Sequence, residues 1–227
     1  MQTVKKTGNA LPWSYSSLSA YETCPKRFYL TRISKQVSEP QTVATMHGNE
    51  VHKALEMYVG GKLALPEKYE EYKAVADKLR ATKGNKLLEY KFGLTQDLKP
   101  TTFFAKDVWC RGVLDVCIVK DETAIVLDYK TGSRKLDGDQ LRLFAGAAMS
   151  LWPHVDSVKT GYIWLKSAQI DTEVFSPAQK TEIFQDFAAR VHRMELSQKN
   201  DSWPAKPSGL CRNWCPVGRD LCDHCGA

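Results

Sequence analysis

Hydrophobic residues along this chain follow two spacings, helical in some stretches and alternating in others. The helical spacing predicts helices over 16–24, 49–60, 67–82, 139–151 and from 176 onward. The alternating spacing predicts strands over 88–94, 108–119, 124–129, 158–165 and 170–175. Beyond about residue 200 the pattern gives way to a tail rich in Pro, Gly and Cys. This order of elements indicates one mixed α/β domain.

Several boundaries carry local signals. Ser16 is a candidate N-cap for the first helix, which we expect to stop at Cys24-Pro25 because the residue before proline disfavours the helical conformation. The segment 120–123 reads as a hairpin turn between two strands. Ser176 and Gln179, with a proline between them, form the strongest capping signal in the chain.

The predicted strand over 88–94 also implies a division of its side chains. Strict alternation places Glu89 on one face. The apolar residues would share the other face: Leu88, Tyr90, Phe92 and Leu94.

The composition is that of a globular protein. The 227 residues are 43% hydrophobic and 26% charged, which excludes collagen-like and wholly disordered chains. No apolar run approaches the ~18 residues of a membrane span. The first 17 residues lack the apolar region of a secretory signal. We therefore expect a soluble protein without membrane contact, located in the cytoplasm, or in the host cytoplasm if phage-encoded.

The positive charge is concentrated in the N-terminal segment. Residues 1–38 hold six basic residues and one acidic residue, out of a net charge of +6 for the whole chain. Lys26 and Arg27 precede Phe28 and Tyr29, and such mixing of cations with aromatic rings suits nucleic acid, which offers phosphates and stackable bases. The alternative is a solvated helix face with a few core aromatics.

Two carboxylates are placed close together by the predicted hairpin. Alternation projects Asp128 and Lys130 to the same side of one strand, and Asp115 comes from the preceding strand. Neighbouring carboxylates repel unless a cation lies between them, and oxygen ligands of this kind suit Mg²⁺ or Mn²⁺. A lysine beside them can orient an attacking water. Each residue alone could be an ordinary surface charge, but the group indicates catalysis.

These residues lie in segments that resemble a known family. GVLDV and IVLDYKTG resemble the metal-binding core of the PD-(D/E)XK nuclease superfamily, in the branch with RecB-type and AddB-type nuclease domains and their phage relatives. Four further segments resemble that branch in the same order: SYSSLSAYETCPKRFYL, GNEVHKAL, EYKFGL and DQLRLFAGA. The resemblance implies a restriction-endonuclease-like mixed central sheet flanked by helices, with a cysteine-rich tail tied to the N-terminal helix.

The resemblance also implies roles for single residues. Lys130 becomes the catalytic lysine, Glu89 an accessory carboxylate, and Gln140 a residue that contacts the scissile region or orients Lys130. Phe144 stands where the family motif has tyrosine. The implied Mg²⁺ or Mn²⁺ ligands are His52, Asp115, Asp128 and the backbone carbonyl of Tyr129. The implied substrate is DNA. The chain has no phosphate-binding helicase motif, so we expect no intrinsic ATPase activity.

Seven cysteines are present, and four of them crowd the C-terminal tail. The odd number argues against a fully paired disulfide framework, and clustered thiols in a reducing compartment indicate metal ligation. Cys110 and Cys117 lie in a predicted strand and are expected to be buried thiols. The resemblance implies a [4Fe–4S] cluster on Cys24, Cys211, Cys215 and Cys222, with Cys225 as the alternate. A zinc site made from the four tail cysteines is the alternative.

The sequence thus favours a metal-dependent DNA nuclease with an exonuclease action on single-stranded or end-frayed DNA, in phage or bacterial recombination or processing. We predict a single domain with a basic N-terminal helix (1–38), a catalytic core (39–199) and a cysteine-rich tail (200–227). Two alternatives remain. One is a non-catalytic nucleic-acid-binding module with an iron–sulfur or zinc site. The other is a nuclease subunit with a recombination or replication partner.

Overall fold

The computed structural model describes residues 11–134 and 137–226, and its centre is a six-stranded sheet. The strands are β1 (Asn85–Leu94), β2 (Pro100–Thr101), β3 (Cys110–Lys120), β4 (Thr123–Lys130), β5 (Ser157–Trp164) and β6 (Gln169–Phe175). Their order across the sheet is β2-β1-β3-β4-β5-β6. Only the β4–β5 pair is parallel among these strands, so the mixed sheet predicted from the sequence is confirmed.

Helices flank this sheet. They are α1 (Tyr15–Thr23), α2 (Pro25–Phe28), α3 (Val43–Val59), α4 (Lys73–Ala81), α5 (Asp139–Leu151), α6 (Lys180–Lys199) and α7 (Leu210–Asn213). A π-helical turn follows α2, and 3₁₀ turns precede α4, separate β5 from β6 and precede α6. Within the described ranges, no helix has both the length and the apolarity to cross a bilayer. The first ten residues of the basic segment lie outside the described residues.

Two hydrophobic cores cover the two faces of the sheet. One core contains Trp13, Phe144 and Phe187, from the segment before α1 and from α5 and α6. The other contains Val51 and Leu55 of α3, with residues of α4. Strand β4 contributes alternate side chains to both cores, since Val126 lies in the first core and its neighbour Leu127 in the second. Polar side chains at the end of β4 therefore lie at the edge of these cores.

The helix starts differ from the sequence-based boundaries. Ser14, not Ser16, caps α1, because Ser14 and Ser17 form a reciprocal capping box. The helix ends at Thr23 with Cys24 as C-cap, as expected. Helix α3 starts at Val43, so Gly48 lies inside it. Thr42 caps that helix by accepting a hydrogen bond from the Thr45 backbone at 3.1 Å.

Two predicted connections are confirmed. Lys120 pairs with Thr123, which closes the β3–β4 hairpin over a two-residue turn. Ser176 and Gln179 form the expected capping box, which opens a 3₁₀ turn and then α6. The predicted helix over 67–82 is a 3₁₀ turn over Glu67–Tyr72 followed by α4.

The predicted alternation in β1 is wrong at Leu88. Leu88 packs against the core of α3 and α4, whereas Tyr90, Phe92 and Leu94 pack in the opposite core. The cause is Glu89, whose φ of +48° is in the left-handed region that side chains rarely adopt. This backbone irregularity interrupts the period of two, so residues on either side of Glu89 no longer share a face.

Candidate active site

The site forms where β3 and β4 separate. The two strands pair from the hairpin turn as far as Val116 and Leu127, after which β4 continues beside β5 and β3 beside β1. Asp115 lies at this opening, and its Oδ2 accepts a hydrogen bond from the Tyr129 backbone N–H at 2.8 Å. The Asp115 carboxylate thus takes the place of the next backbone hydrogen bond between β3 and β4. Its charge is buried between these two strands.

A histidine and two carboxylates converge at this opening. His52 of α3, Glu89 of β1 and Asp115 of β3 each offer a ligand atom, and these three atoms lie within 4.8 Å of one another. His52 Nδ1 is 3.3 Å from Asp115 Oδ2, and its Nε2 is 3.1 Å from the Tyr129 carbonyl oxygen. Imidazole and carboxylate groups at this spacing are donors that a divalent metal accepts.

The pKa values of these groups reflect the crowded charge. Burial raises the pKa of Glu89, and repulsion from Asp115 raises it further. Burial and the charge of Asp115 likewise raise the pKa of Asp128. Burial alone would lower the pKa of His52, but its hydrogen bond to Asp115 and the surrounding carboxylates outweigh burial and raise it. A bound cation would relieve the repulsion that these shifts record.

Asp128, Lys130 and Gln140 form a closed polar ring beside this cluster. Lys130 Nζ lies 2.6 Å from Asp128 Oδ2 and donates a hydrogen bond to Gln140 Oε1 at 2.9 Å. Gln140 Nε2 donates to Asp128 Oδ1 at 2.9 Å. Asp128 and Lys130 therefore lie on the same side of β4, as alternation predicts, and the first turn of α5 supplies Gln140. The ring fixes the ammonium of Lys130.

The predicted ligands fall into two groups. His52, Asp115 and the carbonyl of Tyr129 lie together, and Glu89 joins them through the irregularity in β1. Asp128 is only 5% exposed and is engaged by Lys130 and Gln140. Its Oδ2 is buried and receives no well-aligned hydrogen bond from the described residues, so its contact with the Lys130 ammonium is an ion pair.

The comparison with protein families identifies this arrangement. The family model of the PD-(D/E)XK nuclease superfamily matches residues 12–90 and 74–223, which together contain both groups of site residues. The chain belongs to the PD-(D/E)XK nuclease superfamily. Its nucleases use divalent metals, which suits the acidic cluster. The mixed sheet with flanking helices is the restriction-endonuclease-like fold expected from the sequence.

A solved structure of low sequence identity shares this fold. A candidate exonuclease from Eubacterium rectale aligns with a TM-score of 0.56 at 10% identity, covering 94% of this chain and 92% of that one. The protein SSO0001 aligns with a TM-score of 0.49 at 12% identity, covering 97% of this chain and 90% of that one. No curated protein sequence matches the chain significantly. At such identities the likeness concerns the fold alone.

A groove of about 660 Å³ leads to the Lys130 end of the PD-(D/E)XK site. Lys130 and Gln140 line one part of it, and the hydroxyl-rich face of α1 lines another. Its β3 wall includes Gly112, where a Cβ atom would lie 2.6 Å from the Phe92 ring, so only glycine fits. Phe144, at the tyrosine position of the family motif, is buried and also lines the groove.

The far part of the groove carries two arginines that sequence reasoning only partly found. Arg27, predicted to bind DNA, lines the groove together with Arg32, and both pair with Glu39, at 3.3 and 3.0 Å. Lys26, the other predicted residue, lines only the cysteine pocket, which Arg27 also borders. The π-helical turn over Tyr29–Ile33 brings Arg32 beside Arg27, and the interleaving of basic and aromatic residues was the only sequence signal for it.

All five cysteines of the predicted set line one small pocket: Cys24, Cys211, Cys215, Cys222 and Cys225. The backbone N–H of Lys206 donates to Cys24 Sγ at 3.4 Å, which ties the tail to the end of α1. Burial, then hydrogen bonding and charge from Cys215 and Cys222, raises the pKa of Cys225 to about 12. Several sulfurs thus crowd one place. Cys110 and Cys117 are buried in β3, as expected.

Proposed function

We propose that this PD-(D/E)XK protein is a Mg²⁺- or Mn²⁺-dependent deoxyribonuclease. The observation that carries the proposal is the junction of two features at the β3–β4 opening. One is the acidic cluster of His52, Glu89 and Asp115. The other is the ring around Lys130, which opens onto the groove. Together they bring three candidate metal donors, a held ammonium group and a groove into one place.

The donors fit a divalent ion of this kind. Three ligand atoms already lie within 4.8 Å of one another, and burial together with the charge of Asp115 raises the pKa values of Glu89 and Asp128. His52, Glu89 and Asp115 would hold the ion, with the Tyr129 carbonyl and Asp128 Oδ2 beside them. Such an ion supplies Lewis acidity toward a phosphate and a more acidic water.

Lys130 acts on the substrate side of this centre. Its ammonium is held between Asp128 and Gln140, so it approaches the groove in a fixed direction. At that position it would offset negative charge on the scissile phosphate and orient the attacking water. Gln140 is the positioning residue, because it forms hydrogen bonds with both Lys130 and Asp128 and, among the described residues, none with His52, Glu89 or Asp115.

The proposed substrate is single-stranded or end-frayed DNA, cleaved from an end. The groove joins Lys130 to Arg27 and Arg32, and its hydroxyl groups and guanidinium groups suit a phosphate backbone. The candidate exonuclease from Eubacterium rectale supports the mode of action by analogy of fold alone. A role in phage or bacterial recombination or processing, alone or with a recombination or replication partner, remains part of this proposal.

We further propose that the cysteine pocket holds a [4Fe–4S] cluster on Cys24, Cys211, Cys215 and Cys222, with Cys225 as the alternate ligand. The support is that Cys24 lines the same pocket as the tail cysteines, although 186 residues lie between Cys24 and Cys211 in the sequence. A zinc site on the tail alone would leave that position of Cys24 without a purpose. Such a cluster would staple the tail to the end of α1.

Cleavage assays test the function directly. End-labelled single- and double-stranded DNA of both polarities would be incubated with Mg²⁺, Mn²⁺ or EDTA. We expect metal-dependent shortening of single strands from one end and no product in EDTA. Tight, salt-dependent binding without cleavage in any metal would favour the non-catalytic binding module instead. Iron, sulfide and zinc analysis of anaerobically purified protein tests the cluster.

A further inference from the structure

We propose that the exposed ring of Phe104 stacks a nucleobase of the unpaired substrate strand next to the active site. This inference rests on the proposed function and names a contact within it. Phe104 lies in the loop between β2 and β3 and is 78% exposed, more than any other large aromatic side chain among the described residues. An exposed ring of this size offers apolar area and a π-face to a planar partner.

The ring is held in place by its neighbours. Phe103 meets Phe104 edge-to-face with centroids 4.9 Å apart. The Arg111 guanidinium lies 5.0 Å from the Phe103 ring and 5.9 Å from the Phe104 ring, and it donates a hydrogen bond to the Phe103 carbonyl at 3.4 Å. The loop closes on itself through a hydrogen bond from Thr101 Oγ1 to Asp107 at 3.1 Å. Phe104 is therefore presented by a built support.

The surroundings of the ring are cationic, which selects the chemistry of the partner. Lys91 Nζ lies 5.9 Å from the Phe103 ring, Arg111 contacts both rings, and Lys106 follows in the loop. The nearby acid, Asp107, is engaged by Thr101. A nucleotide matches this pattern in both parts, since its base stacks on an aromatic ring and its phosphate pairs with a cation.

Strand β1 connects this platform to the acidic cluster. Lys91 follows Glu89 by two residues in β1, so their Cα atoms lie at most about 7 Å apart. Lys91 pairs with Val113, which lines the groove. The backbone N–H of Arg111 also donates to the Trp13 carbonyl at 2.9 Å, just before α1.

A strand crossing the site would therefore meet different groups on its two sides. The platform lies by the start of α1, whereas Arg27 and Arg32 follow its end, about 13 Å along the helix axis. Lys130 and Gln140 line the same groove as the two arginines. The arginines would hold phosphates, and Phe104 would hold a base on the other side of the scissile bond.

Binding measurements on the full chain test this contact. The probe is a fluorescein-labelled 12-nucleotide single strand of DNA in EDTA, followed by anisotropy. A matched series carries one abasic position that moves along the strand. The variants are Phe104→Ala, Phe104→Trp and, as a control, Leu63→Ala, which removes a 61% exposed apolar side chain from another surface. Melting temperatures of all variants should equal that of the parent, because these side chains are exposed.

We expect Phe104→Ala to weaken binding roughly tenfold, with Phe104→Trp and Leu63→Ala close to the parent. One abasic position should weaken binding to the parent by a similar factor and add nothing in Phe104→Ala. Equal binding by the parent and Phe104→Ala, or losses that multiply at every abasic position, would overturn the inference. Parallel cleavage of the intact strand by the parent in Mg²⁺ or Mn²⁺ separates the two proposals, because a failed platform leaves that cleavage in place.

Discussion

The acidic site and the cysteine pocket are built in opposite ways. The acidic site takes its residues from the regular elements α3, β1, β3, β4 and α5, each fixed by sheet pairing or helix packing. The cysteine pocket takes its residues from the end of α1 and from a tail with little regular structure. Sheet pairing and two large cores support the first site whatever its side chains are, whereas the second rests on one small apolar cluster that includes two of its own cysteines.

This contrast predicts which property each site controls. Substitution in the acidic site should remove chemistry and spare the fold, since its residues crowd like charges and fill little core volume. Substitution in the cysteine pocket should loosen the fold and spare the chemistry, since the binding free energy of a cluster would add to the Trp203 contacts that also join the tail to the N-terminal helices. Four predictions test this division.

The largest effect is expected from Asp128→Ala and Asp115→Ala. Each removes a carboxylate that we propose to hold the metal or to fix Lys130, so cleavage should fall at least about a thousandfold, several kcal/mol of transition-state stabilisation. The melting temperature and iron content should stay near those of the parent. Glu122→Ala, an exposed carboxylate in the same hairpin, is the control. Undiminished cleavage by the Asp128 variant would refute the nuclease assignment.

The reciprocal result is expected from Cys24→Ser. This change should lower the iron content and the melting temperature, by roughly 10 °C, because the free energy of cluster binding is part of the free energy of folding. Protein that remains folded should keep its cleavage rate per folded molecule. The control is Cys117→Ala, which alters a buried thiol of β3 outside the pocket. Colourless protein that keeps one zinc in the Cys24 variant would show a separate tail site.

The sequence predicted which residues come together at the acidic site, but not the local backbone geometry that brings them there. Alternation alone placed Asp128 beside Lys130, because both side chains follow the regular pleat of β4. Glu89 was predicted only as an accessory group, since its left-handed backbone cannot be read from a pattern of period two. Arg32 and Glu39 were not assigned to the groove from the sequence for a similar reason, because a π-helical turn and an irregular segment bring them together. Departures from regular geometry are where pattern reading fails.

A third, intermediate effect concerns pH and metal. The raised pKa values of Glu89, Asp128 and His52 mean that the folded protein holds protons more tightly than the unfolded chain at these groups. Without metal, their contribution to stability is therefore greatest at low pH and is lost as pH rises through the raised pKa values. Mg²⁺ or Mn²⁺ competes with those protons, so its stabilising effect should grow with pH.

Melting curves at pH 5, 6, 7 and 8, with EDTA or with Mn²⁺, measure this linkage. We expect the increase in melting temperature on adding Mn²⁺ to be smallest at pH 5 and largest at pH 8, with cleavage following the same trend. Asp115→Ala, which removes one ligand, should flatten the difference. Glu122→Ala is the control for the titration of groups elsewhere in the chain, and it should behave as the parent does. A metal effect independent of pH would place the ion elsewhere.

The smallest effect concerns the arginine end of the groove, and it tests how the two sites meet there. Arg27→Ala and Arg32→Ala should each weaken binding of single-stranded DNA a few-fold and lower the salt slope by about 0.7, because each removes one phosphate contact. Glu39→Gln should tighten binding by up to about fivefold, since an exposed ion pair worth about 1 kcal/mol no longer competes with the phosphates. Lys26→Ala is the matched control, because Lys26 lines the cysteine pocket and not the groove. If Lys26→Ala lowered the salt slope as much as Arg27→Ala, the strand would run over the cysteine pocket, and the separation between the chemical and the structural site would not hold.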